Sequence, residues 1–172
     1  MVTIGSAHNR PYIFAMKEQK TNAMRLLEQK GISYETISYD FDEEHLDAIH
    51  ASESAGLNPE TVYKTIVMKG SSNQLYVFVT PAEFTVSLKK ARSLTGEKEI
   101  ELLKTDQLLK YTGYIRGGCS PLGMVRQYPT FIEALAELEE YIHVSAGKRG
   151  LQIKLTPADL QKATGAVFAD FT

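Results

Sequence analysis

TVYKTIVMKG (residues 61–70) and QLYVFVTPA (residues 74–82) decide the architecture of this chain. Both runs are rich in Val, Ile, Tyr and Phe, the residues that pack best on a pleated surface, and the residues between them carry turn formers from Gly70 to Asn73. They predict two strands joined as a hairpin. Outward from that hairpin, TNAMRLLEQKG (21–31) reads as a helix capped by Thr21 or Asn22 and stopped by Gly31, and ISYETISYD (32–40) as a strand. HLDAIHASESAG (45–56) is a weaker helix ending at Gly56, after which Asn58-Pro59 restarts the chain with a capping residue before a proline. Further on, SLKKARSLTG (87–96), TDQLLKYTG (105–113), EALAELEE (133–140) and TPADLQKATG (156–165) read as helices. KEIELL (98–103), YIRGG (114–118), YIHVSAG (141–147), LQIKL (151–155) and AVFADF (166–171) read as strands. Helices and strands are interspersed irregularly around at least one hairpin. The fold class is therefore mixed α/β (α+β), a mixed β-sheet or open barrel with helices around it, rather than a doubly wound parallel sheet.

Within the first strand the twofold period puts Val62, Lys64, Ile66 and Met68 on one face and Tyr63, Thr65, Val67 and Lys69 on the other. Lys64 thus shares its face with three apolar residues. Two readings stand. The lysine snorkels to an edge and stays solvated, or it is a partly desolvated ammonium in a cleft that binds an anion or carbonyl or takes part in proton transfer.

IRGGCSPLG (115–123) holds three glycines and the single cysteine of the chain. A glycine pair lets the backbone approach a ligand and present its N–H groups with no Cβ in the way, as for a carbonyl, a phosphate or a terminal ribose; an ordinary bulge or turn is the alternative. Neither GxGxxG nor GxxxxGK[ST] is present. SAGKRG (145–150) is a second glycine loop with adjacent cations, which either meets phosphate or forms a solvated turn. Cys119 has Arg116 nearby but no histidine within twenty residues, and it reads as small apolar filler rather than a nucleophile. His8, His45, His50 and His143 could reach it only through the fold. No His, Cys, Asp or Glu grouping has metal-ligand spacing, so neither a metal nor another cofactor is expected.

The 172 residues, 43% hydrophobic and 23% charged, suit one globular domain. A net charge of −2 argues against tight binding of nucleic acid by electrostatics alone, DNA included, though it permits a local basic patch. One cysteine allows no internal disulfide, which suits a reducing compartment. No apolar run approaches the roughly 18 to 20 residues of a membrane helix, and the N-terminus lacks the pattern of a secretion signal, so a cytoplasmic protein is expected. Residues 1–15 read as an extension that need not be native, and 16–172 as a single domain.

The order and spacing of LNPETVYKT (57–65), YIRGGCSPLG (114–123) and VSAGKRGL (144–151) resemble the YbaK/EbsC family of aminoacyl-tRNA deacylases. TNAMRLLEQKGI and the following SYD (38–40) match the opening of that family, and the likeness runs from about Thr21 to Phe171. The resemblance implies the fold of the editing domain of bacterial prolyl-tRNA synthetases. It implies a trans-editing enzyme that removes mischarged cysteine from tRNA(Pro), and from tRNA(Cys) as an extension, with prolyl-tRNA synthetase as a partner. An alanine-clearing deacylase of the same superfamily and a noncatalytic tRNA- or synthetase-binding module are the alternatives.

By the same resemblance, Lys64 is the catalytic lysine and Thr65 the threonine after it. Gly117, Gly118, Ser120, Pro121 and Gly123 form the motif beside the bound 3′ end. Tyr39 belongs to the pocket, and Ser145, Gly147 and Lys148 to the second loop. Arg126 and Arg149 are candidate phosphate contacts. The chain departs from the family pattern at Gln152, where some members carry aspartate, and near Leu46-Asp47, where some carry a pocket phenylalanine. The family further implies that the substrate's own thiol attacks its ester carbonyl. No protein nucleophile is then required.

Overall fold

A computed structural model describes residues 19–172; the expected N-terminal extension, the domain start at Met16, and His8 lie outside the described residues. The predicted hairpin is the centre of the molecule. Strand β2 (Tyr63–Gly70) pairs antiparallel with β3 (Leu75–Pro81) from Tyr63 opposite Pro81 to Lys69 opposite Leu75. The short β4 (Ile100–Leu102) lies antiparallel along the other side of β2, while β5 (Thr130–Glu133) and β8 (Val167–Ala169) extend the sheet in parallel beyond β3. A second sheet of order β1-β7-β6 is antiparallel throughout and uses β1 (Glu35–Ser38), β6 (Ile142–Ser145) and β7 (Leu151–Leu155). A single parallel bridge between Val62 and His143 joins the two sheets at the start of β2.

The larger sheet is covered on both faces. Tyr63, Val67, Val77, Val79 and Ile132 face the main core, which also takes Leu27 of α1 (Asn22–Gln29) and Leu160 of α5 (Pro157–Thr164). Met68, Tyr76, Phe78 and Phe171 form a second core with Ala91 of α3 (Leu88–Thr95). Every residue of β3 is therefore buried, which is why QLYVFVTPA reads as an apolar run and not as an alternation. The split of β2 between the cores follows its twofold period, with Tyr63 and Val67 on one side and Ile66 and Met68 on the other.

Helix ends follow the chemistry of their sequences. Side chains of Thr21, Asp47, Ser87 and Thr156 accept the first free amides of α1, α2 (Ala48–Ser54), α3 and α5. Gly96, Gly113 and Gly165 close α3, α4 (Thr105–Thr112) and α5 in the left-handed region.

Helix α4 starts at Thr105, where TDQLLKYTG begins, but Lys104 occupies the cap and makes no side-chain cap bond. Two expectations from the sequence need correction. EALAELEE is a 3₁₀ segment, Ala134–Leu138, preceded by the strand β5 that the sequence reading missed. YIRGG is not a strand: the amide of Gly118 donates to Ile115 O at 3.0 Å and Gly117 has φ +83°, so the chain turns there. Tyr114 anchors the turn from inside, its hydroxyl donating to Leu122 O at 2.6 Å.

Candidate active site

The open end of the hairpin, helix α2 and the two glycine loops enclose a cleft of about 240 Å³. Lys64 lies on its wall, with Thr65, Tyr39, Gly117, Ser145 and Gln152 around it. Of the two readings of Lys64, the structure favours the cleft. The side chain is half-buried and its Nζ donates to Ala82 O at 3.0 Å, a carbonyl on the loop that leaves β3. Burial lowers the Lys64 pKa from its ordinary value, and the charge of Asp47 works the other way. Asp47 itself caps α2 by accepting from the His50 amide at 3.0 Å. Burial raises the Asp47 carboxyl, but the hydrogen bonds from the His50 amide and ring outweigh it and the net shift is downward. Lys64 and a carboxylate held in its ionised form thus line the same cleft.

The two glycine loops lock together through their backbones. A Cβ on Gly118 would lie 3.1 Å from the amide nitrogen of Arg149 and from Cα and the carbonyl carbon of Lys148. Arg149 returns across the contact, its Nε donating to Arg116 O at 2.9 Å. Gly117, held in the left-handed region, lies against the Leu46 side chain and so joins the first loop to the approach of α2. Tyr39 continues from β1, its amide donating to Gly150 O at 2.9 Å. Its hydroxyl pKa is raised, chiefly by burial.

Other expected site residues are placed elsewhere. Gly118 and Gly147 sit behind the cleft wall as loop-packing positions; Gly147 packs on the Tyr114 ring, and its amide donates to Ser145 Oγ at 3.2 Å. Ser120 is fully buried and its Oγ accepts from the Leu122 amide at 3.2 Å. Gly123 packs against the backbone of Asn22 at the start of α1. Pro121, Gly123 and Arg126 line a different depression together with Lys30 and Thr164. Arg149 lies on a neighbouring cavity with Gly117, and Lys148 directly precedes it on the loop between β6 and β7.

Cys119 reaches the cleft wall, yet burial pushes its thiol up to about 12, so it is un-ionised at neutral pH. None of the described histidines lines this cleft. Among the described residues no three His, Cys, Asp or Glu side chains come together as a metal site, and no helix is long and apolar enough to cross a membrane.

Three features of the cleft escaped the sequence reading. The Ala82 carbonyl that holds Lys64 is a backbone group with no sequence signal. Asp47 was noted only as the place of a missing phenylalanine, although a carboxylate directly before a helical run is a capping signal. Gln152 was noted as a departure. It is 4% exposed, and its Oε1 finds no hydrogen-bond partner among the described residues; neither does Thr65 Oγ1. Both residues line the cleft. A buried polar oxygen without a partner carries a desolvation cost that a hydrogen-bonding ligand group relieves.

The sequence profile of the aminoacyl-tRNA editing domain family matches residues 42–163, and the chain belongs to that family. Within it, the chain is 41% identical over 155 residues to an Enterococcus faecalis protein named "Putative Cys-tRNA(Pro)/Cys-tRNA(Cys) deacylase EbsC", covering 90% of this chain and 94% of that one. The uncharacterised Bacillus subtilis protein YwhH is 24% identical over 112 residues, 65% of this chain and 71% of its own. The fold is shared with a crystal structure described as "a putative trans-editing enzyme for prolyl tRNA synthetase", at a TM-score of 0.78 and 21% identity over 88% of this chain and 94% of that one. It is shared too with the hypothetical protein APE2540, at a TM-score of 0.80 and 18% identity over 88% and 99% of the two chains.

Proposed function

We propose that this chain is a trans-editing deacylase that removes cysteine mischarged onto tRNA(Pro), and cysteine from tRNA(Cys) as well. The observation that carries the reading is the meeting of Lys64 with the Gly117 turn on one cleft whose single thiol, Cys119, is un-ionised at neutral pH. Family membership and the name of the 41% identical relative point the same way.

The physical need for such an enzyme is plain. A synthetase pocket built for proline discriminates against a side chain differing by a few atoms by only about 1–3 kcal/mol, and a second site that destroys the wrong ester supplies the rest. The ester is already activated. Positioning it and stabilising the developing oxyanion are sufficient contributions from the protein. In this reading the terminal adenosine and ester lie between Lys64 and the turn at residues 117–118, and Thr65, Tyr39, Ser145 and Gln152 shape the space around the amino acid. The substrate sulfur attacks its own ester carbonyl carbon. The carbon–oxygen bond to the ribose breaks, and the ribose oxygen leaves with the proton that the thiol gave up. The amino acid departs as a cyclic thioester, which water opens. Alanyl and prolyl esters have no thiol and survive. Lys148, Arg149 and Arg126 are assigned to tRNA phosphates, and prolyl-tRNA synthetase in the cytoplasm is the partner that delivers the substrate.

Deacylation of Cys-, Ala- and Pro-tRNA(Pro) and of Cys-tRNA(Cys), by the wild type and by Lys64→Ala, tests this. Cleavage confined to the cysteinyl esters is expected, with kcat/KM reduced about 10²- to 10³-fold in the variant. Equal cleavage of the alanyl ester would move the chain to the alanine-clearing class, and full activity of Lys64→Ala would remove the lysine from the mechanism.

A further inference from the structure

The cleft continues beyond Gly117. Tyr39, Leu46, Asp47, Ala51 and Gly117 wall both the cleft and a second cavity of about 190 Å³. The far side of this second cavity is formed by Phe41, His45, His50 and Arg149. Its chemistry differs from that of the first. The His45 and His50 rings lie 4.7 Å apart, tilted by 34°. Each ring is fixed by a carboxylate: His45 Nδ1 is 3.0 Å from Asp42 Oδ2, and His50 Nδ1 is 2.5 Å from Asp47 Oδ2. Phe41 is 47% exposed, and Gly150 packs against its ring, where a Cβ would come within 3.0 Å. The cavity is therefore lined by the rings of Tyr39, Phe41, His45 and His50 together with Asp40, Asp42 and Asp47, of which Asp42 and Asp47 already accept from Glu44, His45 and His50.

Such walls repel a phosphate and suit a planar base that carries an exocyclic amine. Stacking on an aromatic ring accepts any base, whereas a carboxylate acceptor selects one with an amino group to donate. Arg149 also lines the cavity and comes from the loop that packs on the Gly117 turn, at the junction of the two spaces. Its Nη1 is 3.8 Å from Glu43 Oε1, a carboxylate that is 82% exposed, so the pair is screened by water and easily exchanged for a phosphate.

We propose that this second cavity receives the base of the nucleotide that precedes the esterified adenosine. In every tRNA that nucleotide is a cytidine, whose N4 amine is the required donor. The phosphate between the two nucleotides then passes at Arg149. This subsite rests on the reading of the Lys64 cleft as the place of the aminoacylated adenosine. It answers how a protein of net charge −2 engages a polyanion: it grips the last two nucleotides by stacking and base-edge contacts and needs few phosphate contacts.

The test compares two small esters, 3′-O-cysteinyl adenosine and cysteinyl cytidylyl-adenosine, with binding of free adenosine and free cytidylyl-adenosine measured alongside. The expected result is a KM at least about fivefold lower for the dinucleotide ester in the wild type, and the same preference in binding. Phe41→Ala, a change at an exposed position, should lower the ratio of the two KM values, and uridylyl-adenosine, which keeps the stacking and the phosphate but lacks the N4 amine, should bind less tightly than cytidylyl-adenosine. Equal KM values in the wild type, or a preference undiminished in Phe41→Ala, overturns the subsite. The activity reading fails separately, if neither ester is cleaved; the binding ratio of the two nucleotides then still decides the subsite, since it requires no turnover.

Discussion

At the scale of single residues, the cleft assigns opposite fates to its two reactive side chains. Burial makes Lys64 easier to deprotonate than an ordinary lysine, and makes Cys119 harder to ionise than an ordinary thiol. If the ammonium stabilises the developing oxyanion, kcat/KM must fall as pH rises through the Lys64 pKa, and that falling limb lies below the ordinary 10.5. Rates corrected for spontaneous ester hydrolysis should show it, and it should vanish in Lys64→Arg, whose charge does not titrate. A limb that stays in Lys64→Arg belongs to another group. Cys119→Ala, by contrast, should keep most of the activity, because an un-ionised thiol neither attacks nor holds charge; a collapse of turnover with an unchanged melting curve would make the cysteine a nucleophile after all. Lys64 was legible in the sequence because a strand alternates and the lysine broke the pattern. The partnerless oxygens of Thr65 and Gln152 were not, since burial without a partner is a property of neighbours distant in the sequence.

At the scale of elements, the site depends on two loops that hold each other by backbone contact. The glycines of IRGGCSPLG were legible as a motif, but their division of labour was not. Only Gly117 lines the cleft, while Gly118 lets the second loop approach and Gly123 lets the start of α1 do so. A motif read along one strand of sequence cannot tell a ligand contact from a packing contact, because both call for a missing Cβ. Gly118→Ala separates the roles. Its new methyl would meet backbone atoms of residues 148 and 149 at 3.1 Å, which cannot rotate away as a side-chain tip can. The loops must part by a few tenths of an ångström, and the Arg149–Arg116 hydrogen bond lengthens with them. The expected outcome is a loss of about tenfold to a hundredfold in kcat/KM with a small change in melting temperature. Unaltered kinetics would show that the loops are free to move without affecting the site. The strands tell a similar story of what sequence carries. The hairpin of β2 and β3 is local, and its residues name it; β5 is four residues long, is paired in parallel to β3 and β8, and has no local signal.

At the scale of the molecule, the two sheets meet where β2 begins, and the cleft opens at the same end of β2. Val62 bridges to His143 there, three residues after Pro59 and two before Lys64. His143 is 7% exposed, with Lys154 and Glu35 nearby on the smaller sheet. The Thr61 hydroxyl donates to Asn58 O at 2.8 Å, so toward His143 Nδ1, 3.1 Å away, it acts as acceptor, and the neutral ring carries its proton on Nδ1. Burial lowers the His143 pKa, with the Lys154 charge in the same direction and Thr61 and Glu35 opposing. The sign of the linkage follows. Above the ordinary histidine value of about 6.5 the ring is neutral both folded and unfolded, and it makes stability independent of pH. Below that value the unfolded chain takes up the proton first, and stability falls with falling pH until the folded ring titrates too. Urea midpoints of the wild type should therefore drop between pH 7.5 and 5 by more than those of His143→Gln, which has the amide to reach Thr61 and no charge to gain. Because the bridge joins the sheets beside Lys64, kcat/KM for the cysteinyl ester should decline in the same window in the wild type and less in the variant. Parallel pH profiles of midpoint in the two proteins would mean that this histidine takes up its proton in the folded state as readily as in the unfolded one, and that the junction of the sheets is open to water.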